Sequence, residues 1–590
     1  RRTSLYGDAL SRLMTGKIEH RHGSISPALS QASMSPVLKQ IYANRGVDRI
    51  DDISLPLNQL LPPAALKGAQ EAAEMLADAI EFQASVVVVG DFDADGATSC
   101  ALAVSVLKQM GLAEVVYLVP NRFEFGYGLT PEIVGIAAQY QPDVLMTVDN
   151  GIASIDGVMA ARMLGMSVIV TDHHLPGAAL PEADVIVNPN QPGCAFPSKA
   201  LAGVGVMFYV LTALRAELRR RGWFESSGIA VPNLADALDL VALGTVADVV
   251  PLDKNNRILV AAGLARMRAG RARPGIEALF EVAGRDIRSV SSTDLGFIAG
   301  PRINAAGRLD DMSVGIECLL AESSAAARPL ATQLNDYNRE RREIEGSMQA
   351  DALALLDSGE FSVTDSDFGL SLYRDDWHQG VVGILASRIR ERFHRPTIIF
   401  AQAGDGELKG SGRSVPGLHL RDALDRVATL NPDLISKFGG HAMAAGLSLS
   451  ETHLPRFRDA FNKSVSDALG GRLPDHVHVT DGELRSEELT LELAEALESG
   501  GPWGQCFEAP SFDGAFDIAD MRVVCEKHLK FKLRANSDLI DAIAFNVDVA
   551  EWMTQRPARM GCVYRPSVNA FRGERSLQLQ LDAIWPRSIS

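Results

Sequence analysis

Four consecutive valines, Val86 to Val89, run into Gly90 and then three alternating aspartates, Asp91, Asp93 and Asp95, and this stretch constrains the fold more than any other. A short β-branched run without polar alternation suits a strand buried on both faces, as in parallel α/β sheets. Such sheets bind ligands beyond the carboxyl ends of their strands. Alternate residues of an extended segment point the same way, so the three carboxylates repel one another unless a cation lies between them. Gly96 then permits a turn, and ATSCAL at 97–102 begins a helix. An isolated Asp-x-Asp is more often a solvated acidic loop or a capping turn, so the triplet alone suggests metal binding and nothing further.

The same architecture recurs downstream. VLMTV at 144–148 runs into Asp149, Asn150 and Gly151, and SVIVT at 167–171 runs into Asp172, His173 and His174. A further acidic candidate, Asp248, lies in LGTVADVVPL at 243–252. A lone histidine is usually a satisfied structural residue, but two adjacent ones after an aspartate at a strand end favour ligation. Carboxylates with a few imidazoles and no cysteine favour manganese or magnesium over a structural zinc site.

GDFDADG, VDNG, TDHH and GTVADVVPL, in this order, resemble the signature motifs of the DHH phosphoesterase superfamily. GPRINAAGR at 300–308, WHQGVVG at 377–383, SGRS at 411–414, GGHAMAAG at 439–446 and FRGERSLQL at 571–579 resemble one branch of it, the RecJ family of bacterial single-strand-specific exonucleases. The resemblance covers nearly the whole chain; only the first stretch, to about Pro36, carries no recognisable pattern.

At 590 residues the chain is too long for one core, and several domains are expected. The expected architecture is α/β: an N-terminal region (1–60), a doubly wound parallel-sheet DHH domain (61–322), a long polar connecting helix (323–358), a smaller DHH-associated α/β domain (359–470) and a C-terminal antiparallel β-barrel (471–590). Alternation in LKFKL at 529–533 and LQLQL at 577–581 supports the last, and the family resemblance implies an OB fold, suited to single strands.

Six scattered cysteines give no disulfide framework and fit a reducing cytoplasm. No apolar run is long enough to span a membrane and no secretory signal is visible; the opening Arg1-Arg2-Thr3 lacks an initiator methionine, so a processed or trimmed start is expected. A net charge of −17 argues against a generic nucleic-acid coat. Arginine-rich clusters at 215–221, 266–273, 339–342 and 388–395 nevertheless allow a local basic groove, although any one of them also reads as a solvated helix face.

The resemblance implies roles residue by residue. Asp149 would bridge two divalent ions, manganese or magnesium. Asp93 would bind one and Asp95 the other, His173 and Asp248 would complete the second site, and Asp91 stands where a first-site ligand can be supplied. His174 would lie beside the scissile phosphate, with Asp172 and Asn150 orienting the ligands; Asp172 reads equally as a helix cap. Arg122, Arg302 and Arg308 are candidates for neutralising phosphate oxygens, with structural ion pairing the alternative and Arg302 the weakest of them. Asn304 shares their motif and is counted with the substrate-binding residues. Ser411, Arg413, Gly439, Gly440 and His441 resemble an anchor for a terminal phosphate, although Gly439-Gly440 alone also reads as a strand-to-helix turn, and His378 and Gln379 would line the cleft between the lobes or else start a helix. Such a pocket would make the enzyme an exonuclease rather than an endonuclease.

The activity so implied is two-metal hydrolysis of single-stranded DNA from the 5′ end to mononucleotides, in DNA repair and recombination. A monomer working in the cytoplasm with single-strand-binding protein and a helicase, and with no membrane, is expected. A small-substrate phosphoesterase and a non-catalytic scaffold share the fold. The linking helix and the β domain weigh against the first, and the complete ligand set weighs against the second.

Overall fold

The computed structural model describes residues 16–120, 128–357, 364, 366–571 and 574–587. They group into two units: Gly23–Asn338 with Ala496–Ala509, and the described residues up to His22 with Arg339–Glu495 and those from Pro510 onward.

The first unit is built on a five-stranded parallel sheet of β1 (Val86–Gly90), β2 (Val115–Leu118), β3 (Val144–Val148), β4 (Ser167–Thr171) and β5 (Val185–Val187), in the order β2-β1-β3-β4-β5. The valine run is continuous because each face of the sheet meets its own helices. Val86 and Val88 pack, with Val144 and Met146, against α1 (Ala69–Glu81) and α2 (Ala94–Gln109). Val87 and Val89 pack, with Leu145 and Val168, against α3 (Pro131–Ala137) and α4 (Ile155–Met163). Each fully buried valine contributes about 1.5–3 kcal/mol of hydrophobic stabilisation. The first face is completed by α5 (Gly203–Arg220) and α6 (Leu238–Ala247), which are almost wholly buried. The helix α7 (Gly300–Leu309) follows a π-helical turn, Leu295–Ala299. Residues Ala496–Ala509, remote in sequence, bring Trp503 and Phe507 into this unit as a stacked pair 5.2 Å apart, with the Arg257 guanidinium 4.0 Å over the Phe507 ring.

The polar stretch after residue 323 folds as one helix, α8 (Ser324–Asp357), 34 residues long. At 1.5 Å per residue this is about 51 Å.

In the second unit a mixed sheet runs β9-β10-β8-β7-β6, from β6 (Leu370–Tyr373), β7 (Thr397–Gly404), β8 (Glu407–Arg413), β9 (Lys437–Gly440) and β10 (Ala444–Ser450). Of its pairings only β6 with β7 is parallel. The helices α9 (Val382–Phe393), α10 (Leu420–Leu430) and α11 (Leu454–Ala468) supply its apolar faces. The C-terminal strands β11 (Phe512–Val524), β12 (His528–Ala535), β13 (Asp538–Ala544), β14 (Arg559–Phe571) and β15 (Glu574–Arg587) close into a barrel, β11-β12-β13-β15-β14. It is antiparallel except between β13 and β15, which run parallel. A separate parallel pair joins Lys17–His20 to Val477–Thr480. No helix among the described residues is long and apolar enough to cross a membrane.

Candidate metal centre

The sheet register brings the acidic positions together. Gly90 is paired with Val148 and Val148 with Thr171, so the next residues, Asp91, Asp149 and Asp172, emerge side by side at the carboxyl edge. The Asp93 side chain caps α2: its Oδ1 accepts from the N–H groups of Asp95 (2.9 Å) and Gly96 (3.0 Å), satisfying donors that the first turn leaves open. Asp95, fully buried, is held from the opposite side. Its Oδ2 accepts from Gly203 N–H at 2.6 Å and its Oδ1 from Val204 N–H at 2.9 Å, at the positive end of α5.

Asp149 adopts φ = 62°, a left-handed conformation that a non-glycine residue takes only when its surroundings demand it. Gly203 makes room for it: a Cβ there would lie 2.5 Å from Asp149 Cβ. Gly203 thus both donates to Asp95 and admits Asp149.

His173 points its Nε2 into the cluster, 3.1 Å from Asp149 Oδ1, 3.4 Å from Asp248 Oδ2 and 4.0 Å from Asp95 Oδ2. The ring also hydrogen-bonds the backbone of Leu201. That fixes the tautomer and turns the Nε2 lone pair toward the carboxylates. Asp248 ends α6. Asp172 lies beneath the histidines. Its Oδ1 accepts from the N–H groups of His173 and His174 and meets His174 Nδ1 at 2.7 Å, while its Oδ2 accepts from Ile152 N–H. Asn150 donates to the Val89 and Val148 carbonyls, bracing β1 against β3.

The electrostatics call for cations. Burial first, and then the neighbouring carboxylates, push the pKa values of Asp149 and Asp248 well above the usual range and that of Asp95 to about 7. Burial and the adjacent His174 lower His173 to about 4, so its ring is neutral and ready to ligate. His174 goes the other way: although burial opposes its charge, the hydrogen bond to Asp172 raises it to about 9. Asp149 Oδ1 and His173 Nε2 are both buried without a hydrogen-bond partner. Two facing lone-pair atoms of this kind are what a divalent ion would join. The described residues offer three compatible clusters: Asp91/Asp93/Asp149, Asp95/His173/Asp248 and Asp149/His173/His174. The all-oxygen and mixed oxygen–imidazole donors fit manganese or magnesium.

The remaining candidates divide. Asn304 Oδ1 accepts from Ala94 N–H at 2.8 Å, so this residue braces the turn bearing Asp93 and Asp95. Arg302 is buried and donates to Asn335 Oδ1 and the Ile298 carbonyl. Arg308 stands half-buried at the end of α7. Arg122 lies outside the described residues.

In the second unit the register places Gly439 opposite Gly446 and Gly446 opposite Ser411, one row across three strands. Arg413 Nη1 contacts Ser411 Oγ at 3.2 Å and the Gly412 carbonyl at 2.8 Å. A Cβ on Gly383, in the first turn of α9, would lie 3.0 Å from Arg413 Nη2 and Ser411 Oγ. Burial, and after it the charge of Arg390, lowers the Arg413 pKa, a penalty that an anion would relieve. His441 N–H donates to the Ala444 carbonyl beside Gly440, and His378 Nδ1 accepts from Gly380 N–H just before α9. Gln379 donates to the Gln402 carbonyl.

Gly203, Val204 and Leu201 were not among the sequence candidates; nothing in AGVGV at 202–206 marks it as a partner of Asp95. Gly383 closes the motif WHQGVVG and Arg390 lies in the basic cluster 388–395, but neither was singled out.

The comparisons with known proteins agree with this geometry. The model of the DHH family, N-terminal domain, matches residues 85–245, the DHHA1 domain matches 366–467 and the RecJ OB domain matches 480–583. The single-stranded-DNA-specific exonuclease RecJ of Dickeya dadantii is 55% identical over 556 residues, covering 94% of this chain and 96% of the relative. The chain belongs to the RecJ family. The RecJ of Escherichia coli is 53% identical over 557 residues, again 94% and 96% of the two chains. The crystal structure of RecJ in complex with Mn2+ from Thermus thermophilus matches with a TM-score of 0.78 and 29% identity, covering 97% of this chain and 80% of that one. A structure of exonuclease RecJ bound to manganese matches at 0.56 and 34% identity, covering 70% and 96%. The DHH match takes in the aspartates and histidines from Asp91 to His174 and stops just short of Asp248.

Proposed function

We propose that this RecJ-family chain is a divalent-metal-dependent exonuclease that hydrolyses single-stranded DNA in the 5′-to-3′ direction to mononucleotides, serving DNA repair and recombination. The observation that carries the reading is the buried pair Asp149 Oδ1 and His173 Nε2, 3.1 Å apart and without hydrogen-bond partners, inside a ring of further carboxylates. The relatives named as single-stranded-DNA-specific exonucleases support the substrate class.

Asp91, Asp93 and Asp149 would hold one ion, and Asp95, His173 and Asp248 the other, with Asp149 serving both. Bound there, manganese or magnesium supplies Lewis acidity, acidifying a water and offsetting the charge of an in-line phosphodiester displacement. The chain's own groups do the rest. The amides of Gly203 and Val204 fix Asp95, and Leu201 fixes the His173 tautomer. Asp172 keeps the proton on His174 Nδ1, leaving Nε2 for the phosphate that is cut. Arg308, together with Arg122, would neutralise phosphate oxygens.

Ser411 and Arg413, with Gly439, Gly440, His441 and His378 nearby in the same unit, would receive the terminal 5′ phosphate, the source of polarity. Exposed amides and an arginine suit that anion. The barrel would track the single strand. Single-strand-binding protein and a helicase are the partners this activity calls for, with the chain acting as a cytoplasmic monomer.

The test is incubation with Mn2+ and labelled single strands, duplexes and 3′-blocked strands. Release of mononucleotides from the 5′ end of single strands, indifferent to the 3′ block, is expected. Equal cleavage of duplex and single strand, or arrest by the 3′ block, would overturn the reading.

A further inference from the structure

Phe297 is 73% exposed, a large aromatic side chain on a surface where the fold gains nothing from it. It lies in the π-helical turn Leu295–Ala299, a rare conformation found often at functional sites. The turn's two ends, Leu295 and Ala299, are buried, and Phe297 is turned outward between them.

The turn is placed against the metal centre. A Cβ on Gly296 would lie 3.5 Å from Val246 Cγ1, and one on Gly300 would lie 3.1 Å from Ala247 Cβ. Val246 and Ala247 are the last two residues of α6 before Asp248. One helical step further along the same row, Asn304 holds the Ala94 N–H beside Asp93. The row Gly296, Gly300, Asn304 therefore runs along the ligand-bearing ends of α6 and α2, and Phe297, the residue after Gly296, is the exposed one of the turn. Val249, immediately after Asp248, adds a second apolar surface: a β-branched residue held at φ = 59° and 64% exposed. Non-glycine residues, and β-branched ones above all, resist this conformation.

We infer that Phe297 is a stacking platform that seats a nucleobase of the substrate strand next to the Asp248 end of the metal centre, with the exposed Val249 after Asp248 as a further apolar contact. The inference rests on the function proposed above. The cluster around Asp149 addresses the charged backbone and offers nothing to a base. An exposed aromatic face accepts any base, which suits an enzyme that must degrade strands of every sequence. A base already stacked within a duplex cannot lie on Phe297 without being unpaired, so the platform also favours single strands.

The experiment compares the full-length wild type with Phe297→Ala, Phe297→Leu and Phe297→Tyr under single-turnover conditions with Mn2+. The substrates are 5′-phosphorylated strands, intact or with one abasic site moved stepwise from the 5′ end. Phe297→Ala and Phe297→Leu are expected to lower kcat/KM roughly ten-fold, in the range of a base–aromatic stack, and Phe297→Tyr to retain it. At one position the abasic site is expected to cost the wild type about as much, and to add little to the loss in Phe297→Ala. Tm, unchanged at this exposed position, excludes a folding defect. If the wild type degrades the strands and Phe297→Ala matches it, or if the losses from Phe297→Ala and the abasic site simply multiply at every position, this inference fails while the proposed function stands. If the wild type leaves single strands intact, the function itself fails.

Discussion

His173 Nε2 faces Asp149 Oδ1 across 3.1 Å, and neither buried atom has a hydrogen bond. Around them the Asp95 and Asp248 carboxylates lie within 4.0 Å of the same nitrogen. A protein interior relieves such a gathering of lone pairs by taking up protons or a cation. The rest of the first unit can be understood as the scaffold that assembles this arrangement: parallel strands bring Asp91, Asp149 and Asp172 to one edge, and two helix ends supply Asp95 and Asp248.

Gly203 is the tightest point of that scaffold, since its amide holds Asp95 and its missing side chain admits Asp149. Gly203→Ala is expected to displace Asp149, destabilising the fold by about 1–3 kcal/mol as an overpacked core position does and lowering kcat at least 100-fold. Thermal melts and single-turnover rates measure both; a variant with wild-type kcat would mean that Asp149 need not sit where it does.

Asp172 touches no other carboxylate of the cluster yet organises both histidines. Asp172→Asn is expected to lower activity roughly 10- to 100-fold, the range for residues that orient metal ligands, with the fold intact by circular dichroism. Undiminished activity would reduce Asp172 to a structural cap.

Arg413, close to Ser411 and the first turn of α9, is the cation of the anion pocket proposed for the second unit. Arg413→Gln is expected to shrink the preference for 5′-phosphorylated over 5′-hydroxyl strands about 10- to 100-fold, equivalent to about 1.5–3 kcal/mol for a hydrogen bond to a charged group. Rates on the two strand types give the ratio directly, and an unchanged ratio would place the terminal phosphate elsewhere.

A pH effect is expected far from the metal centre. His394, at the end of α9, and His476 have ring centroids 4.9 Å apart, and His476 and His478 are 4.4 Å apart. Burial, then the two other histidines, lower His478 to about 4, and burial and His476 also lower His394, against a hydrogen bond to the Asp475 backbone and with Arg390 adding to the repulsion. The unfolded chain, with an ordinary histidine pKa of about 6.5, binds more protons than the folded one below that value. Stability from this cluster is therefore complete above pH 6.5 and falls as the pH drops toward 4. Urea unfolding of the second unit across that range checks this, with His478→Gln giving a flatter profile; identical profiles would contradict it.

Much of the fold was legible because burial on both faces leaves a mark in composition. Val86 to Val89 could be recognised as an interior parallel strand without knowing what packs on either side, and the three aspartates at its end as a candidate ligand site. The parallel closure between β13 and β15 was not legible, because alternation in LQLQL reports which face is buried and not the direction of the neighbour. Nor could the sequence foretell that Gly203 and Val204, more than a hundred residues after Asp95, would supply its two N–H donors. Nor does the motif around Arg302 foretell its neighbours: its guanidinium donates to Asn335 and to the Ile298 carbonyl.

Asp149 is proposed to join two cation sites. Calorimetric titration of Mn2+ into the metal-free protein, beside Asp149→Asn, tests this most directly, because asparagine tolerates the left-handed backbone at this position while withdrawing the charge. Two ions bound per chain are expected in the wild type, and a drop of at least ten-fold in affinity at both sites in the variant. One ion per wild-type chain, or a variant that binds Mn2+ as the wild type does, would contradict it.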